Sequence, residues 1–278
     1  MSWLVFAAVL LAALLHASWN ALVRFSTDRF ASMLLLALTQ GGFALLLLPF
    51  VPIPAREAWP FVALGALLHT GYKLFLIRAY AHGDLSQVYP LARGSAPLLV
   101  ALAGFVLFGE RLEPQAMVSV ALIGVGVVVL TGAGGKVRLP ARAVLYALGT
   151  AAFTAAYTLA DAAGARVAGS AIGFAAWMFV VDGIAMTAYA IATRGAAVVS
   201  TLRPGLAGGT IAGALSLGSY ALVIWAFTQA PVAMVAALRE TSVLFAVAIA
   251  ALLLGERVAP RRWIAAIVIA AGVATMRL

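Results

Sequence analysis

The sequence around Arg93 recurs around Arg239. Arg93 is followed by an apolar run, then by Phe108-Gly109-Glu110-Arg111 and Pro114. Arg239 is followed by an apolar run, then by Leu254-Gly255-Glu256-Arg257 and Pro260. The spacing is the same in both copies, and the match continues to Gly126 and Gly272. Before the arginines, a one-residue gap aligns Ala79-Tyr80 with Ala226-Phe227. The chain is therefore an internal duplication, and its two copies must be built alike and packed together.

What each copy can build is fixed by its apolar runs. The chain is 65% hydrophobic and 10% charged, against about 25% charged in soluble domains. The runs recur at short intervals, and most are long enough to cross a hydrocarbon core of about 30 Å as helix. Backbone polar groups in lipid must be satisfied internally, which favours helices, and the alternation of barrel strands is absent. The expected spans are 3–23, 32–50, 59–79, 85–108, 114–131, 141–162, 170–191, 206–228, 231–254 and 260–276. The segment 132–140, rich in Gly and closed by Pro140, reads as a linker between two halves, 1–131 and 141–278. Five spans per half is odd, so the halves enter the membrane in opposite directions. The expected fold is all-α and integral to the membrane, with ten helices in two inverted five-helix repeats. That architecture puts a binding site near the midplane, between the repeats.

The net charge of +9 does not point to nucleic acid, because 15 of the 18 Lys and Arg fall in loops or at span ends. Arg56, Arg111, Arg166 and Arg277 lie on one side and the other loop cations on the opposite side. The positive-inside rule then places both termini outside. With no cysteine, disulfides, thiolate nucleophiles and thiolate metal sites are excluded. His16, His69 and His82 lack metal-motif spacing, and the Gly-rich linker lacks the strand–helix setting of a phosphate loop. No cofactor is expected, and no enzyme. The first span reads as a retained helix rather than a cleaved signal.

The residues that can carry function are those that break the apolar rule. An arginine at bilayer depth costs roughly 2.5–3.5 kcal/mol on insertion scales and is a functional-site candidate by default. Arg93 and Arg239 occupy equivalent positions in the fourth and ninth spans, where guanidinium forks could clamp a carboxylate or phosphate. The competing reading is internal pairing, for example Arg93 with Glu240. Glu240 could neutralise an arginine, bind a substrate ammonium or carry a proton. Asp182, in the seventh span, reads as a structural partner or an inter-repeat contact. His69 and Lys73, four apart in the third span, share a face, as do His16 and Asn20 in the first. Trp19 and Tyr157 fall at corresponding places in the first and sixth spans, as cavity walls or as core. Pro90, Gly94 and Pro97 should interrupt the fourth span and make it the mobile gate, whereas Pro231 only begins the ninth. Gly109 with Pro114, and Gly255 with Pro260, read as helix ends and starts.

The stretch Gly83 to Pro97 (Gly-Asp-Leu-Ser-Gln-Val-Tyr-Pro-Leu-Ala-Arg-Gly-Ser-Ala-Pro) leads to Phe-Gly-Glu-Arg. The stretch Ala230 to Val243 leads to Leu-Gly-Glu-Arg. Both resemble the EamA family of the drug/metabolite transporter superfamily, over nearly the whole chain. The resemblance implies ten helices and a central cavity lined by helices 1, 3, 4 and 6, 8, 9. Cargo in such families ranges over amino acids, other metabolites and drugs. His16-Ala17-Ser18-Trp19-Asn20, with the two helical arginines, resembles a subgroup associated with phosphonate utilisation. The resulting expectation is a secondary-active, alternating-access transporter of a small organic anion or zwitterion, such as an amino acid, carboxylate or phosphonate. The alternative is a flippase of the same fold for a lipid-linked phosphate. Arg93, Arg239, Glu240, Lys73, His69, Asn20, Trp19 and Tyr157 are the candidate substrate-binding residues. A small-molecule substrate and the bilayer are the expected partners, Glu240 the candidate proton carrier, and a bacterial inner membrane the expected location, as monomer or homodimer.

Overall fold

The computed structural model describes residues 1–23, 28–82, 85–109, 112–132, 140–253 and 260–275. It has eleven α-helices: α1 (Trp3–Val23), α2 (Arg29–Leu47), α3 (Trp59–His82), α4 (Leu85–Phe108), α5 (Pro114–Gly132), α6 (Ala141–Val167), α7 (Ala171–Arg194), α8 (Leu206–Phe227), α9 (Val232–Arg239), α10 (Ser242–Leu253) and α11 (Pro260–Thr275). No strand occurs among the described residues. Among the described residues, seven segments are long and apolar enough to cross a bilayer, and Leu91–Leu107, Pro114–Val129 and Trp263–Thr275 are shorter apolar helices. Leucines and aromatics such as Leu46, Phe50, Leu67, Leu102, Phe105 and Trp263 cover the outer faces. In water such a surface would aggregate; in lipid it is solvated.

Helix ends follow local chemistry. Asp28 caps α2 by accepting from the backbone N–H groups of Phe30 and Ala31, and Ser170 caps α7 through Gly173 N–H. α4 stops at Gly109, whose φ of +63° suits a residue without Cβ, and Pro114 opens α5. Glu110 and Arg111 lie outside the described residues, as do Gly255 to Arg257 and nearly all of the expected linker.

The packing is two-fold. α1 lies on α8 as α3 lies on α6; α4 lies on α6 as α1 lies on α10; α2 pairs with α7, α5 with α11, and α4 with α9. Every one of these pairs joins one half of the chain to the other. Lipid tails are as apolar as Leu, so close approach rather than hydrophobicity holds such helices together. The α5–α11 contact shows it. A Cβ on Gly272 would stand 2.8 Å from Ile123 and 3.0 Å from the Ser119 carbonyl oxygen.

The interrupted span is not the one expected. α4 runs unbroken from Leu85 to Phe108, through Pro90, Gly94 and Pro97. Each proline removes one ladder bond, a loss that neighbouring helices absorb, and Gly94 seats α4 directly against Val128 of α5. The ninth span instead divides into α9 and α10 at Glu240-Thr241. There the backbone tightens to three-residue bonds, Glu240 N–H to Ala237 O at 3.0 Å and Thr241 N–H to Leu238 O at 3.1 Å. The Thr241 hydroxyl donates to that same Leu238 carbonyl at 2.7 Å, a side-chain bond that competes with the helix ladder.

Candidate functional site

The break in the ninth span sets out three charges. Arg239 sits in the last turn of α9, where the unsatisfied carbonyls favour a cation. Glu240 occupies the turn, and Ser242 restarts the helix. Arg93 comes from α4. All three charged residues are buried, at 6%, 3% and 1% exposure for Arg93, Arg239 and Glu240. Arg93 Nε lies 3.1 Å from Glu240 Oε2. This is a contact of opposite charges rather than an aligned hydrogen bond, since neither atom has a hydrogen-bond partner among the described residues. Arg93 Nη2 donates to Ser242 Oγ at 3.5 Å. The Arg239 guanidinium lies 5.8 Å from the centre of the Tyr220 ring, and its Nε has no acceptor among the described residues. The two arginines lie within Coulombic range of each other, and both of His16. Arg93 thus pairs with Glu240, and Arg239 faces the Tyr220 ring.

Beside them, between α3, α6, α7 and α8, is an aromatic cluster. His69 is stacked on Tyr157 with ring centres 4.0 Å apart, and meets Tyr220 and Phe179 edge-on. His69 Nε2 lies 2.8 Å from Asp161 Oδ2, and the Tyr220 hydroxyl donates to that same oxygen at 2.8 Å. Asp161 is fully buried. Further along α3, Lys73 donates to both carboxylate oxygens of Asp182 on α7, at 2.7 Å to Oδ1, and Thr70 donates to Oδ1 at 3.1 Å. The register that aligns Ala79-Tyr80 with Ala226-Phe227 also sets Lys73 against Tyr220. Each half therefore donates from the same position of its third helix to a buried aspartate.

Of the residues singled out in the sequence, Arg93, Arg239 and Glu240 come together, and His69 meets Tyr157. Lys73 is held by Asp182. The Asn20 side chain donates to the carbonyl of His16 on its own helix at 2.8 Å. Trp19 packs edge-on to His16 and with Leu36 and Ala212, away from Tyr157. Asp161 and Tyr220 were not singled out. The sixth span was expected to end at 162, which made Asp161 a helix-end residue. α6 runs on to Val167, which makes it a deep one. The test that flagged the arginines, a charge inside an apolar run, applies equally to Asp161. Its presence alters the balance: Lys73, Arg93 and Arg239 face Asp161, Asp182 and Glu240.

The sequence model of the EamA-like transporter family matches residues 2–132 and again residues 141–278. The chain belongs to this family. An EamA chain is a membrane transporter of the drug/metabolite type, and such proteins are generally transporters rather than enzymes. No curated protein sequence matches significantly. Among solved structures, a crystal structure at 18% identity superposes with a TM-score of 0.79, covering 99% of this EamA chain and 97% of the other. That likeness concerns the fold alone. The family's two matches fall one on each half, and the charges just described lie on helices from both.

Proposed function

We propose that this EamA protein is a secondary-active carrier of a small organic anion or zwitterion, such as an amino acid, a carboxylate or a phosphonate. Its ten spans would form two inverted repeats, 1–131 and 141–278, joined by 132–140. Rocking of the repeats about the charges between them would give alternating access. The reading also takes the membrane to be a bacterial inner membrane, with both termini outside.

One observation carries the cargo class. Arg239 is buried, and its Nε has no acceptor among the described residues. A buried donor without an acceptor costs about 1–3 kcal/mol. An anionic group on the cargo would supply the missing acceptor, and the fork of Arg239 suits a carboxylate or phosphonate. A purely cationic cargo would bring a third positive charge to two arginines.

Counterflow tests this. Proteoliposomes would be loaded with unlabelled amino acids, dicarboxylates and aminoalkylphosphonates, and each labelled compound offered outside. The reading expects accumulation of one anionic or zwitterionic class, reduced at least about tenfold in Arg239→Ala, the loss of one charge-assisted bond. Accumulation of cations alone, or no change in the variant, would overturn it.

A further inference from the structure

Asp161 is bonded unequally. Both of its donors, His69 Nε2 and the Tyr220 hydroxyl, reach Oδ2 at 2.8 Å. Oδ1 is buried and has no partner among the described residues. It faces α3 at Gly65, where a Cβ would stand 2.5 Å away. Gly65 and His69 are four apart, so one face of α3 supplies both the notch for Oδ1 and the ring for Oδ2. A lone carboxylate charge is poorly stabilised in such a place. It is stable when the imidazole is protonated or when a proton sits on the carboxyl itself. Asp161 Oδ1 and the His69 ring each offer an atom for that proton.

The surrounding ionisable groups are otherwise engaged. On α7, Asp182 is held by Lys73 of α3. On α6, Tyr157 gives its face to His69 and its edge to Tyr72. On α4, Arg93 lies against Glu240. On α9, Arg239 faces the ring of Tyr220, whose hydroxyl binds Asp161. One tyrosine thus lies between the titratable pair and the arginine assigned to the cargo anion. The pair also crosses the halves, with His69 from the first and Asp161 and Tyr220 from the second.

Resting on the carrier reading above, we propose that His69–Asp161 is the proton-binding site that couples cargo movement to a proton gradient. Glu240, the acid singled out in the sequence, is already neutralised by Arg93. The proton binds on Asp161 Oδ1 or on the His69 ring and leaves from the same atoms, so no other reactant is needed. An anion at Arg239 offsets a positive charge one tyrosine away from the pair and favours proton uptake; by linkage, protonation favours the anion equally. That is the logic of symport.

The test is an infrared difference titration of the full-length protein in liposomes, between about pH 4 and 9. The observable is the C=O stretch of a protonated carboxyl. The proposal expects a titrating band that disappears in Asp161→Asn and persists in Glu240→Gln. In Tyr220→Phe, which removes one bond and keeps the acid, the band persists and its midpoint moves by about one pH unit. If Asp161→Asn does not fold, Tyr220→Phe together with His69→Gln decides the matter. A band that vanishes in Glu240→Gln, or a midpoint unmoved by both of those variants, overturns the proposal. The titration uses no cargo, so an error in the cargo class leaves its outcome intact. An error in the coupling site leaves anion counterflow through Arg239 unchanged.

Discussion

Replacing Lys73 by Met should be far more harmful than replacing Lys73 and Asp182 together. The Lys73 and Asp182 side chains are 6% and 1% exposed. The ammonium reaches both carboxylate oxygens, and among the described residues only the Thr70 hydroxyl adds a further bond. Lys73→Met leaves Asp182 buried with that one neutral donor. Breaking such a pair costs about 3–5 kcal/mol, because the remaining charge has lost its compensation. Asp182→Leu strands the ammonium in the same way. The double variant strands neither, and apolar replacements of similar volume are often neutral or stabilising. The double variant is therefore expected within about 1 kcal/mol of the parent or above it, so the cycle should show a coupling of several kcal/mol. Equilibrium unfolding in mixed micelles measures all four proteins. If Lys73→Met costs less than about 1 kcal/mol, or the double variant loses as much as the two singles combined, the pair is not the buried ion pair described. The cycle also decides what Lys73 does. A double variant that folds and still binds the anion assigns Lys73 to the α3–α7 contact rather than to the cargo.

Four further substitutions test the packing. Gly65→Ala sets a Cβ 2.5 Å from Asp161 Oδ1 and should cost about 1–3 kcal/mol in the same assay. Gly42→Ala, with nothing within 4 Å of the new Cβ, should be neutral or stabilise by up to about 1 kcal/mol. Gly272→Val, which meets Ile123 and the Ser119 carbonyl, should separate α5 from α11 and cost about 1–3 kcal/mol. Ser219→Ala removes the 2.7 Å hydrogen bond to the Ala12 carbonyl between α8 and α1 and should cost only about 0.6 kcal/mol.

Much of the architecture was legible because bilayer physics leaves few options. Apolar runs fix where helices lie, and Gly109 with Pro114 marks a helix end and a helix start. The exchange of the break from α4 to the ninth span was not legible. Prolines advertise a lost hydrogen bond, but whether neighbours absorb it depends on contacts such as Gly94 on Val128. The Thr241 hydroxyl, by contrast, weakens its helix through a bond to Leu238 that only geometry displays. Among the charges, depth exposed Arg93 and Arg239 as unusual. The pairing of Arg93 with Glu240 could be imagined from the sequence but not established, because it depends on how α4 meets α9. Asp161 escaped notice because the end of the sixth span was placed five residues early. One missed helical turn was enough to turn a buried acid into an interfacial one.

The central claim is that Arg239 takes an anionic group of the cargo. Ligand-induced thermal stabilisation of the purified protein tests it most directly, against amino acids, carboxylates, phosphonates, sugar phosphates and polyprenyl phosphates, with Arg93→Ala and Arg239→Ala in parallel. The account predicts stabilisation by one anionic or zwitterionic class, and its loss in Arg239→Ala. Stabilisation by cations only, or undiminished in both variants, would show that the arginines serve the fold and not the cargo.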